Sequence, residues 1–259
     1  MTTQFQEKLC RDAARCVLEE LCVRAPDQID LPTLAWIGGR KLLIEEGGLK
    51  TAEGRLVATA SGGVIRIRAD IEPVGRKRFT IAHEIGHRVL HGLAPSTDTL
   101  RELRAWSQGS KETEANIFAG ELLMPEFLFK PLVVRDSPSL AFIDSLANRF
   151  RTSNLATAVH FVMHTPEPCA LVVSKNGSYS WSKKSPTFEF HIKNGPLHKY
   201  TGAADLWVGR AERPGMLRTP AGAWLESFDP EGREDIMEDS RKLDEFGMVV
   251  SLLWVYDCI

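Results

Sequence analysis

The chain has 259 residues, 43% of them apolar and 25% charged, with a formal net charge of −2 and a sequence pI near 6.4. That balance is ordinary for a soluble globular protein and excludes the strongly basic composition of a dedicated nucleic-acid binder, although an averaged charge leaves room for a local basic patch. No stretch approaches the ~18 consecutive apolar residues of a membrane helix, the first 24 residues hold no apolar signal core, and Cys10, Cys16, Cys22, Cys169 and Cys258 show no CxxC pairing, so the sequence predicts a cytoplasmic protein with free thiols and no membrane partner.

Residues 4–23 carry a helical pattern through Phe5, Leu9, Ala13, Cys16, Val17 and Leu21, ended by Pro26. A second helix is expected from Leu31 to Ile37, stopped by Gly38-Gly39. The period then changes. Leu42–Glu45, Arg55–Ala60 and Gly63–Ala69 read as strands, and Gly47-Gly48 and Gly62-Gly63 suit tight reversals, which predicts a small antiparallel sheet. Residues 75–91 return to helical character, followed by a Ser/Thr/Asp-rich loop around Pro95–Thr99 and a helix over Lys111–Met124 closed by Pro125. Ser139–Arg151 and Asn154–His164, joined at Thr152-Ser153, resemble a helix-turn-helix. Beyond Pro166 come expected strands at Ala170–Ser174, Tyr179–Ser182, Ala223–Ser227 and Met248–Tyr256, with a helix over Ile236–Leu243. The reading is α+β: a first domain over 1–165, built from a small antiparallel sheet, helices and the helix-turn-helix-like segment at about 139–165. A smaller C-terminal α/β domain over 166–259 follows, of unassigned role: a sensing or partner-binding module, or a packing appendage.

Chemistry concentrates in Thr80-Ile81-Ala82-His83-Glu84-Ile85-Gly86-His87, which contains H-E-x-x-H. Residues four apart share a helix face, so His83 and His87 can turn both imidazoles toward one ion. Glu84, next to His83, reaches a metal-bound water, whose pKa zinc lowers toward ~7 so that a carboxylate takes its proton. A third ligand must come from elsewhere in the chain, and Glu102, Glu112, Glu114, Glu121 and Glu126 follow the motif. Glu114 and Glu121 both border the apolar stripe Ala115, Phe118, Ala119, Leu122 and Leu123, whereas Glu112 lies farther round toward solvent. Periodicity leaves Glu114 and Glu121 unresolved. His91, one turn past His87, reads as an outer support of the site or a substrate contact, and Arg78 as a helix-start or substrate contact.

Two blocks, Arg78 to His87 with Leu90-His91, and Glu114-Ala115-Asn116-Ile117-Phe118-Ala119-Gly120-Glu121-Leu122-Leu123-Met124-Pro125, resemble the ImmA/IrrE family of metallopeptidases. The second block follows the pattern E-A-N-x-F-A-x-E-L-L-M-P, with Gly120 where alanine is common. The resemblance implies a zinc endopeptidase (Mn2+ the alternative metal) with Glu114 as third ligand, and a protein substrate of the helix-turn-helix repressor kind, linked to transcription regulation and stress response. Gly63–Ala69 offers a candidate peptide-binding edge. The competing reading is a non-proteolytic regulator that binds DNA or a repressor and keeps the metal for structure or sensing, with Arg149 and Arg151 as candidate DNA contacts. His160 and His164, also four apart, have no acidic residue between them and read as helix-end histidines. All three tyrosines, Tyr179, Tyr200 and Tyr256, are C-terminal, so no oxyanion-stabilising group stands out near the motif.

Overall fold

The first helix, α1 (Gln4–Glu20), buries Cys10, Ala14, Val17 and Leu18 along one face, and α2 (Leu31–Trp36) follows. Asp30 caps α2 by accepting the Thr33 amide at 3.1 Å, with Pro32 in the first turn. These and all later coordinates are those of a computed structural model, which describes residues 4–49, 52–92, 98–99, 111–134, 136–210, 215–243 and 247–256. The chain divides into two compact units, Met1–Phe129 with Ala147–Ala156 and Lys130–Leu146 with Thr157–Ile259. The division does not fall at Pro166; the helix-turn-helix-like segment contributes residues to both units.

In the first unit, β1 (Leu42–Gly47), β2 (Ala52–Thr59), β3 (Gly62–Arg68) and the two-residue β4 (Asp98–Thr99) form a sheet of order β1-β3-β2-β4. The expected antiparallel sheet is therefore mixed. β2 and β3 are antiparallel, but β1 runs parallel to β3, with Ile44 opposite Ile65. The chain at Gly47-Gly48 does not make a hairpin; it steps across the position that β3 fills. This placement also removes the expected peptide-binding edge. Ile67 of β3 pairs with Glu46 on one side and Gly54 on the other, so both hydrogen-bonding edges of β3 are taken. Leu56, Ile65 and Ile67 point inward beneath α3 (Val74–His91), which Gly92 ends at φ +71°. α4 (Lys111–Leu123) lies against α3 and α1, and α5 (Glu126–Val133) follows Pro125. Gly86 lets α3 and α4 approach: a methyl group there would meet the Phe118 ring at 2.9 Å.

The helices α6 (Leu140–Phe150) and α7 (Asn154–His164) lead into the second unit. It is a five-stranded antiparallel sheet of order β6-β5-β9-β8-β7, made of β5 (Cys169–Lys175), β6 (Ser178–Lys184), β7 (Gly215–Pro220), β8 (Asp235–Leu243) and β9 (Met248–Trp254). Asn176-Gly177, both at positive φ, close the two-residue turn between β5 and β6. Two sequence expectations are overturned here. Ile236–Leu243 is strand β8, not a helix, and Ala223–Ser227 is not a strand, because Ala221–Trp224 forms the short helix α9 behind α8 (Gly202–Trp207). Among the described residues no helix is long and apolar enough to cross a membrane.

β8 misleads because its inward positions are Ile236, Glu238 and Ser240, so the alternation that betrays a strand is hidden by polar residues. Glu238 is fully buried, yet every lone-pair direction is answered. Its carboxylate accepts the Ala203 amide at 2.7 Å, the Gly202 amide at 3.1 Å, Thr219 Oγ1 at 3.0 Å, Trp224 Nε1 at 2.9 Å and Ser240 Oγ at 2.7 Å. These bonds tie α8, α9, β7 and β8 to one point. Removing the acceptor leaves five buried donors without it, so Glu238→Ala should destabilise the second unit by about 3–5 kcal/mol. Chemical denaturation followed by tryptophan fluorescence measures this; a loss below about 1 kcal/mol would show that the cluster is not a stabilising centre.

Candidate metal centre

On α3, His83 and His87 lie one turn apart with both Nε2 atoms turned the same way, 2.9 Å from each other. The third group to meet them is Glu112, whose Oε2 stands 3.2 Å from His83 Nε2 and 3.4 Å from His87 Nε2. His83, Glu84 and His87 are almost wholly buried. Among the described residues, these three side chains, His83, His87 and Glu112, form the group of potential metal ligands.

The structure brings Glu112 to the two imidazoles in the place where the sequence reading expected Glu114. Two residues along an α-helix turn the side chain by about 200°, so Glu112 and Glu114 face opposite ways. Glu112 shares its face with Asn116, one turn on, and Asn116 Oδ1 sits 2.9 Å from His83 Nδ1. Glu114 instead takes a hydrogen bond from His91 Nε2 at 2.8 Å and another from Gln6 Nε2 at 2.8 Å. Glu121 is buried against Arg15 at 3.0 Å, and Glu126 accepts from Arg15 at 2.7 Å. Burial raises the Glu121 carboxyl above its ordinary pKa against the pull of the Arg15 hydrogen bond. Glu102 lies outside the described residues.

His91 stands beside the cluster, its Nδ1 3.1 Å from His87 Nδ1, and burial lowers its pKa against the pull of its bond to Glu114. Arg78 is not brought to the cluster. It is buried, its Nη2 donates to the Ile29 carbonyl at 3.2 Å, and desolvation, with the nearby charge of Arg151, lowers its pKa to about 10. It locks the start of α3 onto the segment that precedes α2. His164 Nδ1 donates to the His160 carbonyl at 2.8 Å, closing the end of α7.

The donor set suits a divalent ion of the zinc type. Asn116 Oδ1 can only accept, so it fixes the His83 proton on Nδ1 and leaves Nε2 as an acceptor. His83 Nε2 and Glu112 Oε2 then confront each other as two acceptors at 3.2 Å, a repulsive contact at a part-buried site that a shared cation relieves. A tetrahedral zinc ion with bonds of about 2.0–2.2 Å sets its ligand atoms about 3.3–3.6 Å apart, close to the spacings between Glu112 and the two imidazoles. Two imidazoles and one carboxylate are three ligands, the number that leaves room for a further one.

Sequence reasoning did not single out Gly54. β2 passes so close to α3 here that a methyl group at Gly54 would lie 2.8 Å from Glu84 Oε1 and 2.6 Å from Thr80 Cγ2. The neighbouring Glu53, also buried, pairs with Arg76 through Nε at 3.1 Å and through Nη2. Together they pin β2 along the Arg76–Thr80–Glu84 face of α3. A lone glycine in a strand is the signal that marks such a close approach.

Residues 41–163 match the family model of the IrrE N-terminal-like domain, a peptidase family. The chain is 32% identical over 119 residues to the radiation response metalloprotease IrrE of Deinococcus radiodurans and 33% identical over 115 residues to that of Deinococcus deserti, matches that cover 44% and 42% of this chain. They span 35% and 40% of those relatives' own length. A Mycobacterium tuberculosis transcriptional regulator shares the fold with a TM-score of 0.58 at 19% identity, over 95% of this chain and 75% of the other.

Chelator-treated protein should take up one Zn2+ per chain. Ligand-linked stabilisation of about 4 kcal/mol is expected at a thousandfold excess over the dissociation constant. Thermal denaturation with and without Zn2+ reads it directly. Glu112→Ala should abolish the shift, and an unaltered shift in that variant would remove Glu112 from the centre.

Proposed function

We propose that the chain is a zinc-dependent endopeptidase of the ImmA/IrrE kind with a zincin-like catalytic unit, acting on a protein substrate of the helix-turn-helix repressor kind; the match of residues 41–163 to the IrrE N-terminal-like domain and the similarity to the two radiation response metalloproteases support this reading. The observation that carries this reading is the convergence of His83, His87 and Glu112 within 4.8 Å, beside the buried carboxylate of Glu84. In the proposal His83, His87 and Glu112 hold the metal, with Mn2+ as the alternative to Zn2+. A divalent ion bound there supplies a Lewis acid and lowers the pKa of a coordinated water toward ~7.

The remaining work falls to the chain. Glu84 takes the proton of the attacking water as its oxygen adds to the scissile carbonyl carbon. It then returns that proton to the amide nitrogen as the C–N bond breaks, so each turnover consumes one water and leaves Glu84 unchanged. Gly54 keeps the space this carboxylate needs, and the Glu53–Arg76 pair holds β2 in place beside it. The buried backs of α3 and α4 keep bulk water away from the two imidazoles. The free thiols of Cys10, Cys16, Cys22 and Cys169 are in keeping with work in the reducing cytoplasm.

Glu84→Gln separates catalysis from metal binding. It should keep one Zn2+ per chain and lower cleavage about 10²–10⁴-fold. Co-expression with a helix-turn-helix repressor, followed by mass spectrometry of its fragments, supplies the readout. A metal-loaded wild type that leaves such repressors intact while altering their DNA occupancy would overturn the peptidase reading in favour of a non-proteolytic regulator. Gly54→Ala, which crowds Glu84 without touching a ligand, should also keep the metal and slow cleavage; turnover equal to wild type would show that Glu84 does not need that space.

A further inference from the structure

His87 meets the metal site through Nε2, and its other ring nitrogen, Nδ1, faces His91 Nδ1 at 3.1 Å. Two nitrogens in contact need one proton between them, and the contacts of His91 decide who supplies it. His91 Nε2 lies 2.8 Å from Glu114 Oε2, and a carboxylate oxygen only accepts. The His91 proton is therefore on Nε2. A neutral imidazole carries one proton, so His91 Nδ1 is an acceptor and His87 Nδ1 must donate to it. That places the His87 proton on Nδ1 and leaves its Nε2 lone pair toward Glu112 and His83. Gln6 of α1 completes the chain by donating to the second oxygen of Glu114 at 2.8 Å.

Resting on the metal-centre reading above, we infer that Gln6, Glu114 and His91 form a hydrogen-bonded relay that fixes the tautomer and ring orientation of His87 and thereby sets metal affinity. All three are positioning residues. Glu114, the carboxylate that begins the E-A-N block, acts on His87 through two hydrogen bonds rather than on the ion itself. The relay also extends the centre beyond residues 41–163, because Gln6 comes from α1. α1 is also held to α4 by Arg15 to Glu121 at 3.0 Å and Arg11 to Glu121 at 3.8 Å, and to the start of α5 by Arg15 to Glu126 at 2.7 Å. His83 has its own orienting partner in Asn116, so each histidine ligand is fixed through Nδ1 by a different route.

Zn2+ affinity of the full chain, measured by competition with a chelating dye, tests the relay. Outer partners of this kind change affinity by about 10–100-fold, so Glu114→Ala and His91→Phe should each weaken binding by about that factor. Gln6→Ala, which removes one neutral hydrogen bond, should weaken it about twofold to tenfold. Glu114→Gln keeps an acceptor for His91 and should restore most of the affinity that Glu114→Ala loses. The Glu114→Ala/His91→Phe double variant should bind no more weakly than His91→Phe alone, because both changes cut the same chain. The Co2+-substituted Glu114→Ala variant should keep the wild-type visible absorption pattern, whereas Glu112→Ala should change it. Additive losses in the double variant, unchanged affinity in Glu114→Ala, failure of Glu114→Gln to restore it, or an altered Co2+ spectrum in Glu114→Ala would each overturn the relay. These are separate from failure of the underlying reading, which would appear as a wild type that takes up no Zn2+.

Discussion

The first unit depends on a single electrostatic constraint: acceptor atoms from two helices are held within hydrogen-bonding distance of one another at the margin of the core. Two acceptors at 3.2 Å repel, and solvent reaches the pair only from the partly exposed side of Glu112. A shared cation relieves the repulsion, as a proton would, and the surrounding structure is organised to hold the acceptors together. Asn116 keeps the His83 proton on the far side of the ring, and Gly86 brings α3 close enough to α4 for Glu112 to reach both imidazoles. Gly54 keeps β2 from crowding Glu84. Each device holds a polar group where it would not otherwise rest.

The second unit contains the opposite solution to the same problem. Glu238 is as buried as Glu84, but five donors converge on it, from two backbone amides, two hydroxyls and an indole. A carboxylate so completely answered has no lone pair left for chemistry and serves as a cross-link between α8, α9, β7 and β8. Burial alone therefore does not mark a reactive carboxylate. What distinguishes the site is burial beside other acceptors, where affinity for a cation or a proton is built in.

The spacing of His83, Glu84 and His87 was readable because helical periodicity is local: residues four apart share a face whatever surrounds them. The carboxylate that meets the two histidines was not readable in the same way. Which carboxylate of α4 reaches the histidines depends on how the helix is rotated about its axis against α3, a property of packing between segments far apart in sequence. Border position on an apolar stripe favoured Glu114 and Glu121, yet the stripe faces the core, while the two imidazoles meet α4 at its margin, where Glu112 stands partly exposed. Three of the four strands of the first sheet were placed from the sequence, but their order was not, since nothing in Gly47-Gly48 says that the chain steps over a strand still to come. β8 failed for another reason. Met237, Glu238, Arg241, Lys242 and Leu243 favour helix by intrinsic propensity, and the preference is overridden by ladders to β7 and β9 on either side.

Distribution of the metal centre over three helices has a thermodynamic consequence. The proposed ligands come from α3 and α4, and the proposed orienting groups from α3, α4 and α1. None of these positions exists in the unfolded chain, so the free energy of binding an ion is also free energy of packing these helices together. Coupling runs both ways: whatever loosens α1 from α4 weakens the hold of His87 on the ion, and an ion bound at His87 tightens α1 onto α4 through Glu114. Polar contacts that carry this coupling include Gln6 to Glu114 and Arg15 to Glu121. α1 lies outside residues 41–163, so the limits of the matched family segment and the limits of the working centre do not coincide. A unit built from residues 41–163 alone would keep the three ligands and lose part of what aims them.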